Sequence, residues 1–230
     1  MTALEFRSIN VPHGTELLRD LEPQQIDLIL AQARTRRFSA KSVLTHQGEP
    51  ADQFLMLWKG RARYFFETPN GKKIILVWIT PGQVFGAAAL VTRPSTYLVS
   101  TEAVRDGVVL VWDGPTIRSL AQRFPQILEN ALFIAKDHLS WYVGAHAALT
   151  SQTARERLAS VLLALAPSIG QRVAGGIELD VTNEELAHSA NITPYTTSRM
   201  ISEWQRSGAI RKYRGKLLLR SPERFFLRVV

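Results

Sequence analysis

Between residues 34 and 112, short β-branched and aromatic runs alternate with glycine or proline. Residues 53–58, 62–66, 73–79, 97–104 and 108–112 each have strand length. They are separated by Gly48-Glu49-Pro50, Lys59-Gly60, Pro69-Asn70-Gly71, Pro81-Gly82 and Asp106-Gly107. Short strands between regular turn signals predict a β-sandwich or barrel. Asn70-Gly71 predicts a hairpin turn, because both residues tolerate positive φ. Ile26, Leu28, Ile29 and Leu30 predict a short helix in front of the strands, over about 22–35. Beyond them the period changes from 2 to 3.6. Pro115 suits the first turn of a short helix ending near Phe124, and Pro125 the start of a longer one. In the longer one Leu128, Ala131, Ala135, His138, Tyr142, Ala145 and Leu149 recur at alternating spacings of 3 and 4, a heptad seam. Ile127, Ile134 and Trp141 widen its apolar face. Such a helix packs on its own domain and on a twin helix, which makes it a dimerisation helix; the alternative is an amphipathic helix buried in one domain.

The last 80 residues read differently. Residues 152–165 carry helical spacing, with Pro167 as the stop, and 170–176 predict a loop before a short strand over 178–181. Thr182 and Glu185 form a capping box for a helix over 183–190. Asn191 follows where a residue of positive φ is needed. Thr193 caps the next helix, Pro194 takes its first position, and Gly208 ends it. A strand, a turn at Arg214-Gly215 and a second strand over 216–220 complete a winged helix-turn-helix. The second helix has an apolar back (Met200, Ile201, Trp204) and a polar front (Tyr195, Thr196, Ser198, Arg199). Arginine can take guanine O6 and N7 together, and serine serves either base. Asn183 and Thr193, at helix N-termini, are placed for phosphates, and Lys212, Arg214 and Lys216 on the wing add phosphate contacts. The competing reading is a helical hairpin for protein contacts.

Charge favours nucleic acid. The chain of 230 residues has net charge +8, and residues 151–230 hold 12 Lys+Arg against 7 Asp+Glu. The basic excess therefore coincides with the predicted DNA-binding motif. An apolar content of 46% excludes disorder as the main state. The longest apolar runs are too short to span a bilayer, and residues 1–10 lack a signal-peptide pattern, so no membrane and a cytoplasmic location are expected. Cysteine is absent, which excludes disulfides, Cys-ligated zinc, iron–sulfur clusters and thiol catalysis. No Ser/His/Asp set, paired carboxylates or Gly-rich phosphate loop suggests an enzyme.

Taken in order, the motifs resemble the Crp/Fnr family of bacterial transcription regulators over about residues 15–225. In the first half the resemblance rests on His46-Gln47-Gly48-Glu49-Pro50-Ala51-Asp52, Lys59-Gly60, Asn70-Gly71-Lys72 and Pro81-Gly82-Gln83-Val84-Phe85-Gly86. In the second it rests on Val181-Thr182-Asn183-Glu184-Glu185-Leu186-Ala187 and Thr196-Thr197-Ser198-Arg199-Met200-Ile201-Ser202-Glu203-Trp204. It implies an α+β chain: a β-roll (jelly-roll) effector domain over 1–114, a dimerisation helix region over 115–150 and a winged helix-turn-helix over 151–230. It also implies a homodimer on palindromic double-stranded DNA, with RNA polymerase as a further partner if the protein activates. The effector pocket would be lined by Phe85, Gly86, Ala87, Leu90, Tyr97, Leu98, Val99, Tyr142 and Val143.

The departures from the family pattern concern the effector. Cyclic-nucleotide-binding members follow the glycine with a glutamate for the ribose and carry Arg-Ser or Arg-Thr about ten residues on for the phosphate. Here Ala87 and Tyr97-Leu98 stand at those positions, with Arg93 as a substitute only if the register slips. Loss of a charged hydrogen-bond partner from an enclosed phosphate costs about 1.5–3 kcal/mol, ~10–100-fold in affinity. The expectation is no useful cAMP binding. Zero cysteine removes the iron–sulfur option of the oxygen-sensing branch. The run from Thr193 to Arg199 followed by Ser202-Glu203-Trp204 is similar to the nitric-oxide-responsive branch, which leaves haem open as a cofactor; His13, His46, His138, His146 and His188 are the candidate ligands. Another small apolar ligand, a filled core without ligand, and control by abundance or a protein partner remain the alternatives. The effector itself is left unassigned.

Overall fold

The computed structural model describes residues 12, 15–213 and 215–226. The N-terminal residues 1–10, His13 and Arg214 lie outside the described residues, so the expectations placed on them have no structural counterpart. The chain divides into two compact units whose boundary falls inside the long helix, between Trp141 and Tyr142, with residues 73–75 grouped with the second.

The first unit opens with a 3-10 turn (Glu16–Leu18) and helix α1 (Pro23–Ala31). Strands β1 (Arg34–Phe38), β2 (Val43–Thr45), β3 (Gln53–Glu67), β4 (Lys73–Ile79), β5 (Val84–Phe85) and β6 (Ser100–Asp113) follow. Then come α2 (Gly114–Arg123) and α3 (Gln126–Ser151). The sheet order is β1-β6-β3-β4, with β2 also on β6 and β5 also on β3. The antiparallel pair of β3 and β6, from Gln53↔Asp113 to Phe65↔Ser100, is its spine. One apolar cluster fills the roll, around Leu55, Leu57, Phe85, Val109 and Val111. A second joins the outer face to the helices through Phe54, Met56, Trp112, Ile117 and Ile127. Two buried polar groups fix the helices, Trp112 joining α1 to β6 and Asn130 joining α3 to the N-terminal turn. Trp112 Nε1 donates to Ile29 O at 2.9 Å, and Asn130 Nδ2 donates to Leu17 O and Arg19 O at 2.9 and 2.8 Å.

Three expectations need correction here. The helix predicted over 22–35 ends at Ala31, because residues 34–38 ladder against residues 107–111 of β6. The runs 53–58 and 62–66 belong to one strand, and the run 108–112 is continuous with the strand that begins at Ser100. Lys59-Gly60 and Asp106-Gly107 are facing irregularities in one ladder rather than chain reversals. A Cβ on Gly60 would lie 2.6 Å from Asp106 O, and one on Gly107 2.1 Å from Lys59 O. Both positions must be glycine for the strands to bend past each other. Asn70-Gly71 is the turn expected: Gly71 has φ 77° and Thr68 N donates to Lys72 O.

The second unit contains α4 (Ala154–Ile169), strands β7 (Gln171–Val173) and β8 (Gly176–Leu179), helices α5 (Asn183–Ala190) and α6 (Pro194–Arg206), and strands β9 (Ile210–Tyr213) and β10 (Lys216–Leu219). The strands form an antiparallel sheet in the order β7-β8-β10-β9. Pro167 does not stop α4, which continues to Ile169, whose buried side chain keeps the last turn wound. The loop expected over 170–176 is instead the hairpin of β7 and β8, with Arg172 paired to Ile177. Leu186, Ala187, Met200, Ile201 and Trp204 are all buried between the helices and the sheet. Among the described residues no helix is long and apolar enough to cross a membrane.

Candidate functional site

The helix-turn-helix is built by its caps. Thr182 Oγ1 accepts from Glu185 N while the Glu185 carboxylate accepts from Thr182 N, so the capping box closes as the spacing requires. Asn191 has φ 50° and ends α5. Thr193 Oγ1 accepts from Thr196 N at 3.1 Å and pairs with Thr196 Oγ1 at 2.9 Å. With Thr197, Met200, Ile201 and Trp204 buried, α6 presents Tyr195, Ser198 and Arg199 outward; Tyr195 is 78% exposed. An exposed tyrosine of that size has no packing role within the chain.

The sequence reading missed the support of Arg199. Its Nε lies 3.9 Å from Glu203 Oε1, and Glu203 Oε2 is held by Arg155 Nη2 at 2.6 Å. Arg155 in turn lies over Trp204, and its Nη1 donates to Phe225 O at 3.4 Å. Arg155 is 48 residues from Glu203, so no local spacing signals the pair. Three expected phosphate contacts already meet partners. Lys212 Nζ donates to Asn183 Oδ1 at 3.3 Å, which joins wing and helix N-terminus. Lys216 bonds Glu178, which also accepts from the Tyr213 hydroxyl. The Lys216 ammonium and the Tyr213 hydroxyl hold the Glu178 carboxyl below its ordinary value of 4.5. Lys216 is thus part of an ion pair inside the sheet as well as a wing cation.

In the roll, the proposed pocket residues do not converge as expected. Phe85 is buried in the inner cluster. Gly86 has φ 78°, and a Cβ there would lie 2.4 Å from Gln53 O and 3.3 Å from Tyr97 Cε1. Ala87 and Leu90 bound a 3-10 turn, with Ala87 exposed. Tyr97 is turned inward: its hydroxyl donates to Gln53 O at 3.0 Å and accepts from Gln53 N at 3.1 Å. Burial pushes its phenol above the ordinary value of 10.0. Leu98, expected in the pocket, is 83% exposed, in a bend that precedes β6. Val99 packs against the inner cluster. The register cannot slip to bring Arg93 inward, since Pro50 bridges Thr96 and Tyr97 N donates to Glu49 O. Tyr142 and Val143 lie on α3 past the boundary of the first unit, and Val143 is exposed.

The heptad seam also faces two ways. Ala131 and Ile134 pack against the unit's own core, and the His138 ring meets Tyr64 edge-on at 5.9 Å. Leu128, Ala135 and Leu149 are exposed, Tyr142 and Ala145 half-buried. Leu132 and Leu139, outside the seam, are 72% and 63% exposed. The outward apolar stripe is therefore Leu128, Leu132, Ala135 and Leu139, rotated from the predicted one. His46 and His146 are exposed, and His188 lies on α5. Among the described residues no group of three or more metal-ligating side chains is gathered.

Comparison with known proteins agrees with this geometry. The cyclic nucleotide-binding domain family matches residues 35–124, and the Crp-like helix-turn-helix domain family matches residues 156–225. The chain is 23% identical over 210 residues to the CRP-like cAMP-activated global transcriptional regulator of Mycobacterium tuberculosis, covering 90% of this chain and 93% of that one. It is 25% identical over 198 residues to the cyclic AMP receptor protein of Thermus thermophilus, covering 86% and 89%. The structure of the c-di-GMP-responsive global regulator CLP from Xanthomonas campestris matches with a TM-score of 0.75 at 17% identity, covering 86% and 99%, a likeness of fold. These relatives are regulators and not enzymes. With a cyclic-nucleotide-type roll, a long helix and a capped, exposed second helix in that order, the chain belongs to the CRP/FNR family of transcription regulators.

Proposed function

We propose that the protein is a cytoplasmic homodimer that binds a palindromic duplex and is not gated by cAMP. The observation that carries the reading is the front of α6. Tyr195, Ser198 and Arg199 stand free of the core on a helix whose back is buried, beside a wing and within the basic part of the chain. Arg199 reads a guanine in each half-site, and Asn183, Thr193, Lys212 and Lys216 supply phosphate contacts, for which Lys216 exchanges Glu178 for the backbone. The exposed stripe of α3 meets the same stripe of a second copy, and two α6 helices spaced by one duplex turn, about 34 Å, match the half-sites.

Independence from cAMP is supported by what occupies the family's phosphate positions. Tyr97 commits its hydroxyl to Gln53, Leu98 faces solvent, and Ala87 carries no carboxylate. The two cAMP-linked relatives are about a quarter identical, which leaves room for a changed effector. Nothing in the placement of His46, His138, His146 or His188 singles out an iron ligand, so this reading assigns neither haem nor a nitric-oxide response.

The test is fluorescence anisotropy on a palindromic duplex with a half-site guanine, against a scrambled duplex, with and without cAMP. Selective binding that cAMP leaves unchanged is expected. Selectivity that appears only with cAMP would overturn the effector part of the reading. Equal binding to both duplexes under every condition would overturn the DNA-reading part.

A further inference from the structure

We propose that the β1–β2 end of the roll holds a small organic anion through Arg36, at a site separate from the region of residues 85–99. Strand β1 reads Arg34-Thr35-Arg36-Arg37-Phe38. Its antiparallel register sets Arg36 opposite Val109 and Phe38 opposite Gly107. Val109 belongs to the inner cluster, and Phe38 packs against that cluster. Residues opposite each other share a face of the sheet, so Arg36 points into the roll.

An inward strand position normally holds an aliphatic side chain, and a cation there needs a partner. The partners of Arg36 are weak. Nη1 donates to Gln53 Oε1 at 3.4 Å and Nη2 to Leu44 O at 3.3 Å, both long and both to neutral oxygens. Among the described residues no carboxylate lies within 4.0 Å of it. Burial also holds its pKa below the ordinary arginine value. A guanidinium has five donors in a planar fork, matched to a carboxylate or phosphate.

The space for such a group is present. Arg36 opens on a cavity of about 610 Å³ with Phe38, Val43 and Leu44 as its apolar side. Asp106 also lines it, but its Oδ1 already accepts from Ala40 N at 2.7 Å. The Arg36 guanidinium, which has no carboxylate partner among the described residues, selects an anion, and the apolar side selects an organic one. The volume suits a metabolite-sized ligand, since such pockets span roughly 300–1,000 Å³. The site also touches the residue on which the neighbouring region hangs. Gln53 accepts from Arg36 through its side chain, while its backbone N and O are both bonded to the Tyr97 hydroxyl. An anion that takes the guanidinium releases the Gln53 side chain.

The experiment is isothermal titration of the full chain, without DNA, with inorganic phosphate and with benzoate, and with benzyl alcohol as the neutral control. In parallel, the Arg36 Nε–H resonance is followed in the ¹⁵N-labelled protein. Saturable binding of one anion per chain is expected, with no binding of benzyl alcohol and a shift of the Arg36 resonance at the same midpoint. Benzoate alone would identify a carboxylate headgroup, phosphate alone a phosphate. Arg36→Gln should weaken binding ~10–100-fold, as loss of a charged hydrogen-bond partner does, and Arg36→Lys by less. Undiminished binding in Arg36→Gln, saturation by neither anion, or saturation with an unmoved Arg36 resonance would each overturn the proposal. The resonance decides even where Arg36→Gln does not fold. Because no DNA is present, failure here leaves the DNA-binding reading intact.

Discussion

Arg199 stands on the exposed side of α6 with its Nε edge toward a carboxylate that Arg155 already holds in place. The Arg199 side chain is 61% exposed, which leaves its guanidinium open to a bidentate guanine contact. Arg199→Ala is expected to cost about 1–3 kcal/mol per half-site and to remove the preference for guanine. Anisotropy on duplexes with and without the guanine measures it; an equal loss on both would contradict the assignment. Glu203→Gln retains shape but drops the charge that orients Arg199, so a smaller loss, confined to the guanine-bearing duplex, is expected. The capping residues Thr182, Thr193 and Asn191 were legible in the sequence, because each acts within four residues of itself. The Arg155–Glu203 pair was not, because only the packing of α4 beside α6 brings the two together.

Among the elements, α3 shows how a sequence period can be right while its faces are misassigned. The predicted seam alternates correctly at 3 and 4, yet Ala131 and His138 turn to the roll and Leu132 and Leu139 turn out. A heptad row identifies an apolar stripe but not which of two neighbouring stripes is covered by the chain's own core. His138 gives this packing a pH signature. Burial against Tyr64 holds its imidazole below 6.5, and the Asp137 carboxylate only partly offsets that. A folded pKa below the unfolded one gives stability that is complete above about 6.5 and is lost as pH falls through the folded value. The thermal midpoint should therefore drop as pH is lowered from neutrality, and His138→Phe should flatten that slope. An unchanged slope in the variant would assign the dependence to another group.

For the whole molecule, the exposed stripe of α3 sets the oligomeric prediction. Leu128, Leu132, Ala135 and Leu139 form one exposed apolar row on the side of the helix away from the face that Ile127, Asn130, Ala131 and Ile134 bury. Leu139→Glu is expected to shift a dimer to monomers in sedimentation while leaving the thermal midpoint of each unit nearly unchanged, since the site is exposed in the single chain. Ala131→Glu, by contrast, places a charge against the unit's own core and should lower the midpoint itself. A dimer that survives Leu139→Glu would move the interface off this stripe.

The amino-acid sequence by itself determined what short-range physics decides: the capped helices, the hairpin at Asn70-Gly71, the apolar back of α6, and the order of roll, long helix and winged helix-turn-helix. Those features depend on side-chain hydrogen bonds to nearby backbone, on positive φ and on periodicity, all readable within a few residues. The tertiary structure alone decided the rest. Residues 34–38 became a strand because β6 offered a ladder, and Gly60 and Gly107 proved to be a close approach rather than turns because two bent strands cross there. Tyr97 filled its own pocket because Gln53, 44 residues away, met its hydroxyl with both a donor and an acceptor. Arg36 came to point into the roll through the same long-range pairing. Such partners are chosen by the whole chain's packing, which no local pattern of residues contains.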